Sequence, residues 1–95
     1  MQIAFAAPLW LWSGKGAWHF ITLPQDDSAI IRMAVPRRGW GSVRVRARIG
    51  ETEWVTSIFP DAKAGAYLLP VKASVRGAEG LSSGDSVTVE LALDL

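Results

Sequence analysis

The chain contains no cysteine. That excludes a disulfide framework, a thiolate zinc site and a cysteine nucleophile. It has one histidine, His19. A side-chain metal site would therefore fall mostly to carboxylates, and neither a metal nor a cofactor is expected. No Gly-x-Gly-x-x-Gly or Walker loop occurs, and Gly14-Lys15-Gly16 lacks the strand-to-helix context such loops need. A strained Gly-x-Ser-x-Gly elbow is missing too, so neither Ser57 nor Ser74 pairs with His19 as a convincing nucleophile and base. Asp26 and Asp27 read as first-turn helix residues rather than a paired acid and base. Long apolar runs are lacking. The opening stretch from Met1 to Trp12 is apolar but too short to span a bilayer, and it lacks the basic start of a signal peptide. It reads as a strand, and the protein as cytoplasmic.

What is present is apolar mass in a short chain. Its 95 residues, 49% hydrophobic and 20% charged, suit a single domain over residues 1–95. A domain of this size buries about 60–65% of its unfolded surface, an adequate but modest core. Five tryptophans must serve as core, interface or ligand-facing walls. Net charge is +1 but unevenly spread. Residues 1–49 carry seven cations against two acids, and residues 50–95 carry three against seven. The plain reading is two halves that neutralise each other within the fold or across a dimer; the other is a basic partner surface.

Period-two alternation organises most of the chain. Residues 2–12 form a first strand with Ile3, Phe5, Ala7, Leu9 and Leu11 on one face. Its other face, with Ala4, Ala6, Trp10 and Trp12, is also apolar, which predicts cover on both sides. Pro8 cannot donate to a ladder and predicts an edge or bulge. A glycine turn at 13–16 leads to a return strand at 17–23, with Trp18, Phe20 and Thr22 opposite His19 and Ile21. A short helix follows at 27–33, then a loop at 37–41. Residues 42–49 are the clearest strand, with Val43, Val45, Ala47 and Ile49 inside and Arg44, Arg46 and Arg48 outside. A turn at 50–52 makes a hairpin with a strand at 53–59, and 60–64 is a loop. A short strand at 65–71 is broken by Pro70, a second helix spans 73–78 and stops at Gly80, and Gly84 turns the chain at positive φ into a last strand at 86–93. The halves look alike. Pro24 and Ser28 are spaced like Pro70 and Ser74, and the strand from Val43 matches that from Val87.

Several motifs resemble a known family. They are Phe5-Ala6-Ala7, the run Trp18 to Pro24, Gly41 to Val45, Trp54 to Pro60, Gly65 to Lys72, Val75-Arg76 and Gly80 to Val89. In this order and over nearly the whole chain they resemble the bacterial DUF1905 family. The resemblance implies a mostly β fold, a small double-split β-barrel (a pseudobarrel) of six or seven strands with two short helices and internal pseudo-duplication. Its architecture is similar to that of AbrB-type and MazE-type transcription factors. It implies no catalytic residue, and the family's role is unassigned.

Three readings of function stand side by side. The first is a non-enzymatic binding or interaction module, expected to be a homodimer. Here Trp10 and Trp12 form a seam unless a helix with Ile30, Ile31 and Met33 covers them. Trp10, Trp12, Trp40 and Trp54 are candidate walls of a ligand groove, with Lys72 and Arg76 as candidate anion contacts. Ion pairing of the two cations with Glu79 or Asp85 is the plainer expectation. The second reading is nucleic-acid binding through a stripe of Arg44, Arg46 and Arg48, extended by Arg37 and Arg38. Against it, arginines also serve simply to solvate a strand face. An enzyme is the third and weakest reading.

Overall fold

A computed structural model describes residues 1–14, 16–35 and 41–94. Alternating apolar residues form six strands, β1 (Gln2–Leu11), β2 (His19–Thr22), β3 (Val43–Ile49), β4 (Thr52–Asp61), β5 (Ala66–Pro70) and β6 (Ser86–Leu93). Two helices, α1 (Gln25–Ala34) and α2 (Ala73–Glu79), follow β2 and β5. The strands close into a barrel in the order β1-β2-β5-β4-β3-β6, with every neighbouring pair antiparallel. Closure gives every strand a hydrogen-bonded neighbour on each side over at least part of its length.

The inside of the barrel is the predicted apolar set. Val43, Val45, Ala47 and Ile49 are buried on β3, and Val87, Val89, Leu91 and Leu93 on β6, while Arg44, Arg46 and Arg48 are exposed. Leu9, Ile21, Ile58 and Leu69 fill the centre with no exposed surface. Helix α1 lies on β5 and buries Ile31; α2 lies near β4 and buries Val75. Gly80 ends α2 in the left-handed conformation at φ +63°. The Leu81 N–H then reaches back to the Arg76 carbonyl, and the Gly80 N–H to that of Gly77. Gly84 sits at φ +96°, as expected. Its N–H donates to the Leu9 carbonyl at 2.7 Å, which clamps the last turn to β1.

The repeat is real in topology. Exchanging β1 with β4, β2 with β5 and β3 with β6 leaves every strand pairing unchanged. It does not rest on the proline–serine spacing, however. Pro24 is the residue that precedes α1, whereas Pro70 ends β5 and Lys72 precedes α2. The strands β3 and β6 do correspond as the valine patterns indicate.

The long strands β1 and β4 each serve two neighbours. β1 pairs with β6 through residues 2–8 and with β2 through residues 9–11. β4 pairs with β3 through residues 52–58 and with β5 from Phe59 onward. Pro8 and Pro60 sit at these changeovers. Pro8 is paired to β6 alone and has no partner on β2, which is the expected edge position, whereas β5 runs without a break to its end at Pro70. The Leu9 N–H donates to the Asp85 carbonyl and the Val71 N–H to that of His19. Those bonds flank the Pro8–Ser86 and Phe20–Pro70 pairs, where antiparallel geometry asks for no N–H from the paired residues themselves. Pro60 stands opposite Tyr67, whose main chain bonds Leu23 and the Ser28 hydroxyl instead. For that reason β4 continues to Asp61 where a loop was expected from residue 60.

Among the described residues, cover on both faces of β1 is not achieved. Ala4, Ala6, Pro8 and Trp12 are exposed on its outer side. Helix α1 does not lie there, and its Ile30 and Met33 are themselves 51% and 87% exposed. Most of the expected loop at 37–41, including Arg37, Arg38 and Trp40, lies outside the described residues, as does Lys15 of the first turn. Among the described residues no helix is long and apolar enough to cross a membrane.

Candidate functional site

Antiparallel register turns the outward residues of β1, β2, β5 and β4 into rows. Trp10 stands opposite Phe20, and Phe20 opposite Pro70. In the next row Thr22 faces Leu68, and Leu68 faces Phe59. Trp12 and Trp18 extend the same face beyond the strand ends, joined by the Trp12 N–H donating to the Trp18 carbonyl at 2.8 Å. The Trp10 and Phe20 rings lie 5.3 Å apart, and Trp18 stacks on Phe20 at 6.1 Å with an interplanar angle of 9°. Trp10 satisfies its indole N–H on the Thr22 hydroxyl at 2.9 Å, so its orientation is held. Trp12, Trp18 and Phe59 remain 45%, 52% and 45% exposed. No charged side chain interrupts these positions.

The tryptophan groove expected from Trp10, Trp12, Trp40 and Trp54 is not assembled from the residues described. Trp10 and Trp12 are on the outer face, whereas Trp54 points inward and is buried in the core. Trp54 instead meets the other two candidates. Together with Trp18, His19, Thr56, Pro70 and Val71, it lines a pocket of about 250 Å³ that also receives Lys72 and Arg76. The pocket opens where β4 has parted from β5 to follow β3. The Arg76 Nε donates to the Val71 carbonyl at 3.1 Å, which fixes the root of the guanidinium. The expected ion pairs do not form. Glu79 bonds the Thr52 hydroxyl at 2.6 Å, and Asp85 accepts the Ser82 N–H at 2.8 Å. The His19 Nδ1 is buried with no hydrogen-bond partner.

On the opposite sheet Arg44, Arg46 and Arg48 form the anticipated stripe, but register interleaves it with acids. Arg48 is paired across to Glu53 on one side and Glu90 on the other. Arg46 Nε lies 3.6 Å from Glu53, and Arg48 Nε donates to the Gly50 carbonyl. Arg44 and Arg46 also border an open groove of about 1300 Å³ between α1, β3 and the end of β6, whose walls include Arg32, Asp61 and Asp94. That groove is mixed in sign. Among the described residues no group of three His, Asp or Glu side chains is placed to hold a metal ion.

Reading residues one strand at a time missed Trp18, Phe20 and Phe59 as part of one surface, and His19 as part of a pocket. Their outward or inward parity was legible, but which strands stand side by side was not. The barrel agrees with the architecture that the motifs implied. No curated protein matches the chain. A family model described as a domain of unknown function matches residues 5–91, and the chain therefore belongs to the DUF1905 family.

Proposed function

We propose that this domain is an interaction module that acts as a homodimer, joined through the aromatic outer face of β1, β2, β5 and β4. The observation that carries this reading is the uncharged, half-exposed row of Trp12, Trp18 and Phe59 around the ordered Trp10–Phe20 pair. Water-facing aromatic area of this extent is unusual on a protein that works alone. A whole aromatic side chain offers about 150–250 Å², so three half-exposed rings supply about 300 Å². With the remaining surface of Trp10, Phe20 and Leu68, this makes an apolar centre of about 400 Å², about half of the roughly 800 Å² per partner of a stable interface, the rest falling to its rim.

A second copy is the occupant that fits. Between Trp12 and Phe59 the face offers no charge for an acidic or basic partner to complement; Asp61, two residues beyond Phe59 on β4, lies at its margin. Its centre is aromatic, and the same patch presented by a second copy about a two-fold axis covers it. Two such sheets stack face to face about 10 Å apart, as in a sandwich. Light scattering at micromolar concentration should give twice the 10.3 kDa chain mass. The double variant Trp12→Ser, Phe59→Arg changes two exposed positions and should give a folded monomer. A monomer mass for the unaltered chain, or an undiminished dimer in the double variant, would overturn the proposal.

A further inference from the structure

We infer that the pocket between β2, β4, β5 and α2 binds a small oxyanion carried on a flat apolar group, of which an aromatic carboxylate is the simplest example. Two features of its wall point to this class. Two cations, Lys72 and Arg76, border the pocket, and among the described residues neither has an acidic partner within 4 Å. Glu79 is turned to the Thr52 hydroxyl and Asp85 to the Ser82 N–H, so neither carboxylate pairs directly with the two cations. Arg76 is also anchored through Nε on the Val71 carbonyl, which leaves the two terminal nitrogens to meet an oxyanion in the forked geometry guanidinium favours.

The second feature is the aromatic lining contributed by Trp54 and Trp18. An indole suits a planar group, and a volume of about 250 Å³ accommodates a single ring. His19 also lines the pocket, but its unpartnered Nδ1 is buried without accessible surface, so the imidazole serves as a reporter of occupancy and not as a donor to the ligand.

The site shares Trp18 and Pro70 with the dimer face, so Trp54 is the cleaner reporter. Benzoate is titrated into the full chain while the indole signals of Trp54 and Trp18 and the imidazole signals of His19 are followed by NMR. Benzamide, its neutral near-isostere, is titrated in parallel. Saturable shifts confined to these three residues are expected with benzoate, and binding at least tenfold weaker with benzamide. Lys72→Gln alters an exposed side chain and should weaken benzoate several-fold without disturbing the fold; Arg76→Gln should weaken it tenfold or more. Equal binding of benzoate and benzamide, shifts that never saturate, or unchanged affinity in the well-folded Lys72→Gln variant would each overturn the inference.

Discussion

The Ser28 hydroxyl, buried in α1, accepts the main-chain N–H of Tyr67 at 3.0 Å. Pro60, opposite Tyr67, faces a main chain that is already committed elsewhere, so this single hydroxyl ties helix to strand where the ladder is interrupted. Ser28→Ala leaves a buried N–H without a partner and should cost about 1–3 kcal/mol, read as a lower urea midpoint at constant slope. An unchanged midpoint would mean that water reaches Tyr67. The sequence shows a serine at this place and suggests a helix around it, but it cannot show the partner, which lies 39 residues away. His19 is a similar case. Its parity on β2 was legible, whereas its burial beside Trp54 and Arg76 depends on three distant segments meeting.

At the scale of elements, period two decides what each strand presents. Leu91 and Arg46 lie on adjacent strands of one sheet, yet one is 1% exposed and the other is on the surface. Leu91→Ala should lose about 2–5 kcal/mol, because it removes both transfer energy and contacts that the barrel cannot fully recover. Arg46→Ala should change stability by less than about 1 kcal/mol, since its ion pair with Glu53 is screened by water. Thermal or urea unfolding of the two variants checks both figures together. A comparable loss in the two would mean that the register of β3 against β6 is wrong. The alternation itself was readable from the valines, and so were the short helices and the glycine that stops α2. The ends of β4 and β5 were not, because proline was read as a breaker. A proline is tolerated wherever the ladder needs no N–H, and that condition is set by the neighbouring strand rather than by the proline.

For the molecule as a whole, charge distribution separates the proposed roles. A positive half and a negative half of the sequence come together on one sheet, where Glu53 and Glu90 flank Arg48. Each acid beside the stripe cancels part of the attraction that clustered cations would exert on a phosphate backbone. Mobility shift with random duplex DNA should therefore show only weak binding that disappears at physiological salt. The triple variant Arg44→Glu, Arg46→Glu, Arg48→Glu should change that weak binding alone. A nanomolar complex at physiological salt, lost in the triple variant, would establish nucleic-acid recognition instead. The proposed dimer would use the other sheet, so the two experiments probe opposite sides of one barrel. The similarity to DNA-binding barrels that the motifs implied does not decide the matter, because one fold carries many functions.

The sequence by itself determined the class of fold, the inward and outward sides of the strands, the turn at Gly84, the cap at Gly80 and the arginine stripe. These follow from side-chain alternation and backbone preference, which act over a few residues and are written locally. Only the tertiary structure decided which strands are neighbours, and with them the aromatic face, the acids beside the arginines, and the pocket around His19. Those features rest on register between strands that are far apart in the chain and on closure of the barrel. Both are set by the packing of all six strands at once, because shifting a strand by one residue exchanges everything it shows to the core for everything it shows to water.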